Sequence, residues 1–71
     1  MSDTKLAIEF LEEAQHYLEK AYDAARAAEP LVSGDAQWLI RSNATQISKR
    51  FEELTLILDG IRREQQKAVT P

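Results

Sequence analysis

Glu13-Ala14-Gln15-His16 places a carboxylate and an imidazole three residues apart. Glu-x-x-His is the spacing by which bundle helices hold di-iron or di-manganese centres, and Glu52 or Glu53 could add a further carboxylate. Ligands of that kind must project into the bundle core. Leu11, Ala14 and Leu18 set the apolar side of this stretch, and that register turns Glu13 and His16 outward. The expectation is therefore a solvated charged face, with no metal ligand and no cofactor assigned.

His16 also raises phosphotransfer, because an exposed histidine on a helical bundle is the acceptor in relay domains and in the dimerisation hairpins of sensor kinases. Those kinase hairpins typically follow the histidine with an acidic residue and then an apolar–basic pair. Here Tyr17-Leu18-Glu19 comes next, and the resemblance stops there. Acid/base catalysis would need carboxylates perturbed by burial in a cleft. Glu12/Glu13 and Glu52/Glu53 are sequence neighbours, so on a helix the members of each pair point about 100° apart and cannot face each other as dyads. The sequence holds no Gly-rich phosphate loop, nucleophile elbow or zinc-ligand spacing, and no cysteine. A non-enzymatic role is expected.

The elements that carry these residues can be read from composition and periodicity. The chain has 71 residues and a net charge of −3, which makes one small domain with little interior. Residues 1–30 carry three basic and seven acidic side chains, a balance of −4, and residues 31–71 carry six and five, a balance of +1. Arg41, Ser48, Thr55 and Arg62 form a heptad-spaced row, with Lys49, Arg50, Arg63 and Lys67 near it and Glu52, Glu53, Asp59 and Glu64 interleaved. Small helical-hairpin dimers can bind RNA loops along one basic face, but this mixture argues against a nucleic-acid partner, since phosphate contacts need clustered positive charge. It favours pairing with the acidic first half or with an acidic protein. The start, MSDTKLAIEFLEE, lacks a basic region followed by a long apolar run, and no stretch is apolar enough to span a bilayer. A cytoplasmic location without a membrane partner is expected.

Both internal breakers fall together in PLVSG, where Pro30 and Gly34 bracket a turn. Proline disfavours helix at the preceding residue, and Ser33 or Asp35 could cap the second helix. The pattern predicts an all-α, antiparallel two-helix hairpin: a helix over about 4–28, a turn over 29–35, a helix over about 36–66 and a frayed tail over 67–71. In heptads, the first helix puts Leu11, Leu18 and Ala25 at a, Ala7, Ala14, Ala21 and Ala28 at d, and Phe10, Tyr17 and Ala24 at g. The second puts Ala44, Phe51 and Leu58 at a and Ile40, Ile47, Leu54, Ile61 and Ala68 at d. Apart from Ala24 and Ala68, these residues are the expected helix–helix core, with the alanine row letting a neighbouring helix approach closely.

A stripe three rows wide is more than one neighbour can cover. Trp38, Leu39, Leu56 and Ile57 also lie off the a/d seam of the second helix, and clusters of that kind mark interaction surfaces. Trp38 has a second reading, folded over Leu31 and Val32 as a plug of the turn. Gly60 costs helix propensity and points to close approach by another helix. The economical solution is two hairpins associating as a homodimeric four-helix bundle; the competing one is a hetero-complex in which another protein's helix fills the face. The expected partner-binding residues are Trp38, Leu39, Leu56 and Ile57 as anchors, with Arg41 and Arg62 at the rim. In length and hairpin plan the chain resembles several unrelated small bacterial hairpins: plasmid copy-control dimers, phage-encoded inhibitors of host regulators, and co-chaperones of type III secretion needles. That likeness implies a regulator, inhibitor or adaptor and carries no site residues.

Overall fold

The computed structural model describes residues 3–69, with side chains through Lys67. Helix α1 runs Asp3–Ala28, a single 3₁₀ turn spans Glu29–Leu31, and helix α2 runs Asp35–Val69. No strand occurs among the described residues. α1 contains neither glycine nor proline and is rich in alanine, the best helix former. It ends where Pro30 removes a backbone donor and restricts Glu29.

The chain reverses at Gly34, whose φ of 67° lies in the left-handed region that costs a side-chain-bearing residue about 1–2 kcal/mol. Its carbonyl accepts the amide of Trp38 at 3.2 Å. Gly34 itself therefore occupies the cap of α2, where Ser33 or Asp35 was expected. Asp35 instead sits in the first turn, where its carboxylate meets the positive end of the helix dipole. At the far end α2 continues through Val69, past the expected end near 66; of the expected frayed tail, Thr70 and Pro71 and the side chains of Ala68 and Val69 lie outside the described residues.

The two helices pack antiparallel along one seam. On α2 the seam follows a and d without interruption: Gln37, Ile40, Ala44, Ile47, Phe51, Leu54, Leu58, Ile61 and Gln65 are all half-buried or buried, joined by Thr55 at e. On α1 it is rotated by one row from the expected g-a-d stripe. Ala7, Leu11, Ala14, Leu18, Ala25 and Ala28 line it on rows a and d, and the third row is e, with Ile8, Gln15, Tyr22 and Glu29 half-buried. Phe10 and Tyr17, expected in the core, are instead 63% and 61% exposed. Ala21 is exposed as well. The physical reason is the size of the d residues. Four alanines offer little to hold α1 on their side, whereas Ile8 and Tyr22 on the e side bring larger apolar surface, and Gln15 and Glu29 bring hydrogen bonds.

Only Ala44 and Leu58 are buried among the described residues. The molecule measures 58 × 17 × 12 Å, a single layer of helix. Its radius of gyration is 16.6 Å, against about 11 Å for a compact chain of this length. Truncating the best-buried side chain, Leu58→Ala, is expected to lower stability by about 2–4 kcal/mol in urea unfolding followed by circular dichroism. Gly34→Ala should lower it by about 1 kcal/mol through the turn alone, without moving the helical content at low denaturant.

Candidate functional site

The seam has two edges. Along one, the e row of α1 faces the e row of α2, and polar groups bridge it at three heights. Gln15 Nε2 donates to Thr55 Oγ1 at 2.7 Å, and that hydroxyl donates to the Phe51 carbonyl at 3.1 Å. Arg41 Nε and Nη2 both donate to Glu29 Oε2, at 2.9 and 2.8 Å, while Gln37 Nε2 donates to the Glu29 carbonyl at 3.1 Å. Near the open end Arg62 Nη2 donates to Glu12 Oε2. Between these links lies an open trough of about 410 Å³ lined by Leu18, Tyr22, Ile47 and Phe51, with Glu19, Ser48 and Glu52 completing its wall.

This edge explains the e row of α2. Arg41 and Arg62, expected at the rim of a partner interface, are occupied within the hairpin by Glu29 and Glu12. Arg50 lies 2.8 Å from Glu53 and Lys67 4.0 Å from Glu64, so four of the six basic side chains of α2 have a carboxylate beside them. The sequence signal for the edge was present on both sides: Ile8, Gln15, Tyr22 and Glu29 repeat every seven residues opposite Arg41, Ser48, Thr55 and Arg62. The second row was expected to pair with the acidic first half or with an acidic protein, and Glu29 and Glu12 of α1 are the carboxylates it meets; the first row was not singled out.

The opposite edge carries the g and c rows, where the Arg50–Glu53 and Lys67–Glu64 pairs, Glu13 and Lys20 stand among exposed apolar side chains. Nine large apolar side chains are exposed among the described residues, and five of them, Leu6, Phe10, Tyr17, Leu39 and Ile57, fall on these two rows. Ala24, Ala27 and Gly60 share the rows and are also exposed. Clustering of this kind on one edge is what an interaction surface requires. Of the expected anchors, Leu39 and Ile57 belong to this edge. Leu56, 70% exposed, points to the outer side on row f, and Trp38, 65% exposed, lies on row b toward the polar edge. The four anchors therefore do not form one patch. Trp38 does not plug the turn either, since Leu31 is left 82% exposed.

Glu13 and His16 both lie on the exposed side of α1. The His16 ring has its neighbour Tyr17 at 6.0 Å, tilted by 55°. Among the described residues no three His, Asp or Glu side chains gather as a metal ion would require. None of the described helices is long and apolar enough to cross a membrane. No protein-family model matches the chain, and neither a curated protein nor a solved structure is similar to it. Because both Arg62 and Glu12 are about half exposed, Arg62→Ala should cost less than about 1 kcal/mol. A loss above about 2 kcal/mol in urea unfolding would show that the polar edge, rather than the a/d seam, holds the hairpin together.

Proposed function

We propose that this chain is a non-enzymatic protein–protein interaction module that works as a homodimer, two hairpins closing into a four-helix bundle. The carrying observation is the gathering of Leu6, Phe10, Tyr17, Leu39 and Ile57 on one edge of a one-layer molecule whose other edge is bridged by polar pairs. A folded chain of 8.1 kDa is expected to leave about 4,500 Å² accessible. This one leaves 5691 Å². A second layer of helix removes that excess, and closed twofold dimers are the commonest way to supply one.

A further role as a regulator, inhibitor or adaptor of another, larger protein rests on the side chains that the second copy would leave uncovered. Leu31 and Trp38 at the turn end and Leu56 on the outer side lie off the apolar edge and stay exposed. Such a module in the cytoplasm would act by occupying a surface of its target. A subunit of a hetero-complex, co-chaperone-like, is the competing reading, with the g/c edge taken by the foreign helix.

Light scattering on the purified chain should give twice the 8.1 kDa chain mass, and Phe10→Ser with Ile57→Ser should reduce it to one. A folded wild-type monomer at micromolar concentration would sink the homodimer. Trp38 is the single tryptophan, so its emission should keep a solvent-exposed maximum across dimerisation. It should shift to shorter wavelength only when a target protein is added, and a blue shift on dimerisation alone would place the turn end inside the dimer.

A further inference from the structure

We infer the geometry of that dimer: the second copy lies with its turn at the same end, so that α1 of each hairpin rests on α2 of the other and Phe10 of one copy covers Gly60 of the second. This rests on the homodimer reading above.

The observation that opens the inference is a glycine without a reason inside the hairpin. Gly60 stands in the interior of α2, where glycine is the poorest helix former after proline. A Cβ built on it meets nothing within 4 Å, and its backbone angles are helical, so neither close packing nor the turn conformation of Gly34 requires it within one copy. It lies on row c of the apolar edge. A bare backbone on an exposed helix face is useful to a side chain that arrives from outside.

The polar links fix what that side chain is. Gln15 is level with Thr55 and Glu29 with Arg41, and each residue up α1 is one residue down α2. Phe10 is therefore level with Gly60, and Leu6 stands one turn beyond. A twofold axis parallel to the helices moves no residue along the rod, so these heights carry over between copies. The ring of Phe10, 63% exposed, then fills the space above Gly60 of the second copy, with Ile57, 50% exposed, one turn along.

Charge selects this arrangement over its rival. The other twofold, perpendicular to the rods, lays α1 on α1 and brings Glu9, Glu13 and Asp23 against their own kind, in a half of the chain that carries −4. With α1 on α2, the outer rows place Glu9 near the height of Arg63 and Asp23 near that of Lys49, while Lys20 is level with Arg50 and within a turn of Glu53, the carboxylate that Arg50 already holds. Complementary rims of this sort fix register between helices.

The chain has no cysteine, so single introduced thiols report without ambiguity. A Lys20→Cys chain and an isotope-labelled Glu53→Cys chain are mixed and treated with a bis-maleimide spanning roughly the 8–10 Å between packed helices. The expected product is the 20–53 linkage. Mainly 20–20 and 53–53 linkages, or a dimer that links at neither, overturns the geometry while leaving the homodimer standing; a monomer by light scattering removes the homodimer itself. In parallel, Gly60→Gln should weaken dimerisation by about tenfold or more, with helical content by circular dichroism retained or raised. An unchanged dissociation constant would mean that nothing seats on Gly60.

Discussion

A pair of helices has one seam, and the whole molecule is shaped by that limit. Each helix presents apolar residues over more of its circumference than one neighbour can reach, because contact between two cylinders covers only the two or three rows that face each other. Among the described residues two are buried, Ala44 and Leu58, and both lie on row a of α2, at the centre of the contact. Every other described apolar side chain is shared with solvent to some degree. Surface-to-volume scaling makes this severe in a chain of 71 residues. The cysteine-free sequence offers no disulfide to offset it.

Given one seam, the question becomes which rows enter it, and α1 answers with polar chemistry as much as with grease. Ile8 and Tyr22 contribute apolar area on row e, and between them Gln15 reaches Thr55 while Glu29 is gripped by Arg41. Arg41 is exposed while the Glu29 side chain is 14% exposed, and Gln15–Thr55 is part-buried. The effect of these pairs is directional: they set the height of one helix against the other and turn α1 about its axis. Turning row e inward turns row g outward, which is why Phe10 and Tyr17 are displayed rather than enclosed. The same rotation thus makes one edge bridged between the helices by polar groups and leaves Phe10, Tyr17 and Ile57 exposed on the other, beside the Arg50–Glu53 pair.

The charge distribution fits that division. The acidic first half and the mildly basic second half meet across the polar edge through Glu12–Arg62 and Glu29–Arg41. On the remaining faces the carboxylates of α1 and the basic groups of α2 stay arranged for a second meeting of the same kind. In the proposed dimer, association of a second copy would reuse an attraction already present within the first, now along the outer rows. Glu13 and His16, which have the spacing of a bundle metal motif, both lie outside the hairpin's seam, Glu13 on row c and His16 on row f, so they do not meet the carboxylates of α2 across it.

The sequence by itself determined the number of helices, the place of the turn and the register of α2. Each rests on strong local physics: proline and a left-handed glycine break helices wherever they stand, and Ile40, Ile47, Leu54 and Ile61 are large enough that only one placement buries them together. The rotation of α1 was decided by the tertiary structure. Alanines at d have too little surface to specify a direction, so a row-wide difference between burying g and burying e is settled by partners forty residues away, Thr55 for Gln15 above all. Local sequence cannot see a hydrogen bond of that separation, and with it went the identity of the exposed edge: Phe10 and Tyr17 read as core, and Arg41 and Arg62 read as rim, until the two helices were laid side by side.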